Sequence, residues 1–168
     1  MKPLFSKKQI IFKTFSPLSL LVFLIIFFKA WQNAGSLIAF IGAYVLGIFL
    51  LYIDEQYLYK FYIEKIDLPS ETSSHLSVLA SRNFLFLLIL PLLSVFVITS
   101  SGSILGIALI LAINSYLLIE MWQLRYETLL FKERFLSAFK IEITAELIRK
   151  ICWAGVIYFI FLLVILLF

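Results

Sequence analysis

Few residues in this chain are suited to chemistry. Two adjacent carboxylates stand at Asp54 and Glu55, a third acid interrupts an apolar run at Glu120, and Arg82 follows the polar stretch that holds the only histidine, His75. Such acids suit two tasks. If they converge, Asp54, Glu55 and Glu120 are candidate oxygen ligands for a hard cation such as Mg²⁺. If they face a guanidinium, two of them can be bridged by directed, charge-assisted hydrogen bonds. Other chemistries lack their residues: there is no CxxC, HExxH, P-loop, dinucleotide fingerprint or haem motif, so no organic cofactor is implied. Cys152 is the only cysteine, which rules out an intramolecular disulfide. His75 lies in DLPSETSSHLS, a turn and helix start with Pro69 as breaker. There a solvated histidine is the simpler reading than a lone metal ligand.

The elements that must position these residues are apolar blocks. The chain has 168 residues, 63% hydrophobic and only 14% charged, a composition far from that of a water-soluble domain. A helix crossing the ~30 Å hydrocarbon layer needs about 20 apolar residues. Five blocks approach this length, at 14–31, 34–53, 84–100, 104–122 and 151–168. The expected fold is therefore all-α: a single polytopic membrane domain of five transmembrane helices. The first block follows Lys2, Lys7, Lys8 and Lys13 but lacks a small-x-small cleavage site at its exit, so it reads as a retained signal anchor.

Charge sets the expected orientation. Short turns join the first and second blocks and the third and fourth, whereas 54–83 and 123–150 are long and polar. With the N-terminus in the cytoplasm, both long segments are cytoplasmic, and every basic residue except Lys29 follows the positive-inside rule. The C-terminus is then external. This explains the net charge of +4 without a nucleic-acid partner, for which no folded basic domain is visible. Within the first long segment, Tyr57, Tyr59, Phe61 and Tyr62 mix with Lys60 and Lys65 as an interfacial belt would. In the second, Phe131, Phe135, Phe139 and Ile143 recur every four residues over 126–149, which predicts an amphipathic helix lying along the membrane surface.

Small residues indicate where helices meet. Gly35, Ala39, Ala43 and Gly47 are spaced by four and share one helix face, where another backbone can approach closely. Gly102 and Gly106, followed by Ala108 and Ala112, repeat the pattern in the fourth block. Asn114, midway along that block, should point inward and hydrogen-bond. Pro91 should kink the third block.

The stretch VITSSGSILGIALILAINSYLLIEMWQL, residues 97–124, resembles part of a group of multi-pass membrane proteins from bacteria with small genomes. There a Thr-Ser-Ser-Gly-Ser turn leads into a Gly-containing helix ending in His-Leu-Leu-x-Asp. Upstream, those proteins have an Asp-x-Asp-His helix ending and a His-Ser helix start. Over residues 48–124 the pattern is similar to the family of membrane-bound, predicted metal-dependent hydrolases, whose acids and histidines at helix ends are thought to hold a divalent metal. This chain departs from it throughout: Tyr52-Ile53-Asp54-Glu55, Arg82-Asn83 and Tyr116-Leu117-Leu118-Ile119-Glu120 stand at the three motifs. No histidine remains at these motifs, and an arginine beside the site would repel a cation. The resemblance then implies a former metal site turned into a structural joint, with Arg82 bridging Asp54 or Glu55 and Glu120 at one membrane depth, and Arg125 as the rival cation.

Three functional readings follow. The first is a non-catalytic scaffold or partner-binding subunit of a bacterial inner-membrane assembly, with the lipid bilayer and a membrane protein or a second copy as partners. The second is a membrane-embedded metal-dependent hydrolase acting on a lipid-linked or phosphorylated substrate. The third is a small transporter component, disfavoured because charges are absent from mid-span.

Overall fold

The computed structural model describes residues 34–54, 84–100, 102–136 and 143–166. The apolar block at 14–31 and the residues Glu55, His75 and Arg82 lie outside them. Among the described residues there are five helices and no strand: α1 (Ala34–Ile53), α2 (Phe84–Ser100), α3 (Ile104–Leu124), α4 (Thr128–Phe135) and α5 (Ala145–Ile165). Three of them, α1, α3 and α5, are long and apolar enough to cross a membrane. At 17 residues α2 is shorter, about 25 Å at 1.5 Å per residue, a length that bilayer thinning can accommodate.

The helix α3 is the axis of the bundle. It is apolar on every face, the pattern of a helix surrounded by others rather than one with a single inward stripe. Ala108, Ile110, Leu111, Ala112, Leu117 and Met121 are among its buried residues. Its start follows a tight reversal from α2, in which Gly102 takes φ +54, a conformation that other residues rarely adopt. Ser103 is extended at the N-cap, and its carbonyl accepts from Ile107 N at 3.0 Å. Gly102 is thus a turn residue: it is exposed, and a Cβ there would meet nothing. The expectation that it packs a helix face is corrected. Gly106 is half-buried.

The α1–α3 contact is the closest. A Cβ on Gly47 would lie 2.8 Å from Ala112 Cβ and 3.0 Å from the Leu109 carbonyl oxygen. Ala43 is buried beside it, Ala39 is half-buried and Gly35 is exposed. One turn back from Gly47, Tyr44 shares a hydrogen bond of 2.8 Å with Ser115. As α1 advances from 44 to 47, its partner on α3 retreats from 115 to 112 and 109. The two helices are therefore antiparallel. The charge-based threading had them running the same way. A face of small residues fits a partner of either direction, so the spacing did not decide the question.

The other connections also differ from expectation. The predicted surface helix over 126–149 is short: α4 ends where Leu136 N donates to Lys132 O at 2.9 Å. Phe131 and Phe135, its apolar line, are fully buried in the bundle rather than laid on a membrane surface. The last helix begins at Ala145, six residues before the apolar block. Thr144 caps it, its Oγ1 accepting from Leu147 N at 3.3 Å, and the exposed Glu146–Lys150 pair, 2.9 Å apart, carries the polar first turns. On the opposite wall, α5 runs antiparallel to α3: the Cys152 thiol donates to Met121 O at 3.4 Å, and Gly155 stands against Leu118.

Candidate functional site

Two features of the bundle are candidates for function: a buried ion pair at one end and an apolar cavity beside it. The ion pair joins Glu120 on α3 to Arg134 on α4, at 2.5 Å between Oε1 and Nη2. Both side chains are almost completely removed from solvent, at 2% and 3% exposure respectively. The short loop after α3 makes this possible. Arg125 and Tyr126 form the turn, Glu127 N donates to Leu124 O at 2.9 Å, and α4 then doubles back. Arg134 is three residues from Phe131, so the face that buries the phenylalanines also carries the guanidinium inward.

Arg125, the cation expected to rival Arg82, does something else. Its guanidinium stacks over the rings of Trp122 and Tyr126, at 4.2 and 4.5 Å. Such contacts stabilise a cation through the electron-rich ring faces. Trp122 in turn meets Trp153 of α5 edge-on at 5.5 Å.

Of the sequence-predicted acids, the two that are described, Asp54 and Glu120, are not brought together. Asp54 is buried at the end of α1. Continuing the antiparallel register two turns beyond Gly47 and Ala112 brings it toward Leu105, at the start of α3. Glu120 is near the other end of that helix. The expectation that Asp54 and Glu120 share one membrane depth is therefore corrected, and with it a joint containing both. Among the described residues, no three His, Cys, Asp or Glu side chains form a group able to hold a metal ion. Sequence reasoning missed Arg134, which counted only among the basic residues that set orientation.

Midway along the bundle the polar atoms are used to fasten helices. Asn114 Nδ2 donates to Ser94 Oγ of α2 at 2.8 Å and to Ile110 O at 2.8 Å. Ser94 Oγ in turn donates to Leu90 O at 2.6 Å. Tyr158 OH of α5 reaches Pro91 O at 3.3 Å. Replacing Ser94 by alanine should cost about 0.6 kcal/mol, the average for interhelical hydrogen bonds in membranes, and at most about 1.7 kcal/mol. A thermal melt in detergent measures this, and an unchanged midpoint would show that Asn114 is satisfied by Ile110 alone.

The cavity has a volume of about 400 Å³ and lies between α2, α3, α4 and α5. Pro91, Asn114 and Tyr158 stand at its mid-bundle end, and Phe84, Phe131 and Phe135 at the end near the ion pair. The α3 wall runs from Asn114 to Met121, roughly 10 Å at 1.5 Å per residue.

The described residues form an all-helical bundle, three of whose helices are long and apolar enough to cross a membrane, with a sequestered ion pair and an apolar slot. Beyond that class, no protein family, curated protein or solved structure matches the chain.

Proposed function

We propose that this chain is a non-catalytic integral membrane protein, a helical scaffold or partner-binding subunit of a bacterial inner-membrane assembly. The observation that carries this reading is the Glu120–Arg134 pair. Glu120 stands where the resembling hydrolases end their motif in an acid, and here that acid is closed off by a guanidinium inside the bundle. A metal site needs carboxylates that converge and remain free to coordinate. The outer faces of α2 and α5 are apolar and open, with Leu92 and Phe96 on one and Ile157 and Phe161 on the other. They suit lipid or the helices of a partner.

The end of the bundle that carries Arg125, Lys132, Arg134, Arg149 and Lys150 faces the cytoplasm in this proposal, by the positive-inside rule. The end of α5 is then external. A periplasmic-active phosphatase fused after Phe168 should be active. An inactive phosphatase with a fluorescent cytoplasmic reporter at the same position would reverse the orientation.

A photo-crosslinking residue placed at Phe96 or Phe161 in native membranes tests the scaffold reading. It should give one adduct of defined mass with a protein partner or a second copy. Adducts with lipid alone, together with one divalent metal per purified chain and hydrolysis of a phosphorylated lipid, would overturn it in favour of the hydrolase.

A further inference from the structure

We propose that the cavity between α2, α3, α4 and α5 is a binding site for one acyl chain of an anionic phospholipid, whose headgroup rests against Lys132 and Lys150. The argument begins with the walls. Among the described residues, two polar side chains reach the cavity, and both are already engaged: Asn114 by Ser94 and Ile110, and Tyr158 by Pro91. Nothing inside is arranged to orient a polar substrate, whereas pockets for such ligands carry a few convergent polar groups. The occupant is an apolar chain.

The shape agrees. The slot follows the helix axes, and an extended hydrocarbon chain lies along the same direction in a bilayer. Its lips are Leu88 of α2 and Ala154 of α5, both exposed. The opening therefore faces sideways, toward hydrocarbon. Left empty, the lining side chains would lack packing partners on that side and forfeit their dispersion contacts.

The hydrophobic effect does not select the ligand, because a chain moving from bilayer to slot leaves an equally apolar medium. Selection has to come from the headgroup. Lys150 is one helical turn from Ala154 on the same face of α5, toward the end that holds the ion pair. Lys132, half-buried, directly follows the cavity residue Phe131 in α4, and Arg149 adds an exposed charge beside Lys150. Opposing them is Glu146, in an exposed pair with Lys150 that a phosphate can readily displace. Clustered basic residues at the cytoplasmic ends of membrane helices attract anionic headgroups.

The test uses full-length protein reconstituted into vesicles of equal phosphatidylcholine and phosphatidylglycerol, then released gently for native mass spectrometry. One phosphatidylglycerol should remain bound. Ala154→Trp, which covers the mouth, should abolish retention, and Leu88→Trp should do the same from the opposite lip. Leu92→Trp, on an exposed position outside the cavity, should leave it intact. Lys132→Gln and Lys150→Gln should each lower the phosphatidylglycerol preference by about fivefold while a lipid is still retained. Three results would overturn the proposal: no lipid retained by the unaltered protein, equal retention of both lipids, or equal loss in all three tryptophan variants.

Discussion

Gly47→Leu should release α1 from the bundle. Even the first carbon of a side chain at this position would meet Ala112 Cβ at 2.8 Å and the Leu109 carbonyl oxygen at 3.0 Å. One obstacle is a methyl fixed to the helix and the other is backbone, so neither can rotate away. Overpacking of this kind costs about 1–3 kcal/mol. Alanine alone should reach that range, and leucine should exceed it. At about 2–4 °C per kcal/mol for a chain of this size, Gly47→Ala lowers the thermal midpoint by roughly 2–12 °C. Gly42 provides the contrast. It is on the same helix, exposed, with nothing within 4 Å of a Cβ. Gly42→Ala should be neutral or should stabilise by up to about 1 kcal/mol through helix propensity. The pair of melts separates close contact from a general dislike of substitution in α1. Equal midpoints for the two alanine variants would refute the packing.

Arg134→Met should be at least as damaging. It leaves the Glu120 carboxylate buried without the guanidinium that neutralises it, and breaking such a pair from one side costs about 3–5 kcal/mol. Glu120→Gln with Arg134→Met should recover most of this loss, since a buried pair replaced on both sides is often close to neutral. A double-mutant cycle on thermal or denaturant unfolding checks both statements. Additive losses would mean that the two side chains do not depend on each other. Recovery would also bear on function: a scaffold keeps its assembly in the double variant, because the pair fastens α4 to α3.

The extent of the sequence's legibility varies along the chain. The blocks at 34–53 and 84–100 coincide with α1 and α2, and α3 runs two residues past its block. Uninterrupted apolar runs between polar turns leave little choice of boundary. The start of α5 was obscured because Glu146, Arg149 and Lys150 look like a connection, although a capped helix can carry them outside the apolar layer. The direction of α1 against α3 was not legible at all. Gly47 and Ala43 state that something approaches closely, and say nothing of which way it runs. Arg134 was hidden for a different reason. Its charge counted only toward orientation, whereas its position three residues after Phe131 placed it on the buried face. That spacing, together with an acid left inside the apolar run at Glu120, was the available signal.

The Tyr44–Ser115 contact joins residues 71 positions apart, which has a bearing on how the molecule is made. A ribosome adds about 5–20 residues per second, so α1 emerges roughly 4–14 s before the helix it must clasp. For that interval the Gly47 notch lacks the Ala112 and Leu109 surface that later fills it. A chain stalled between the two would present the Gly47 face without its α3 partner.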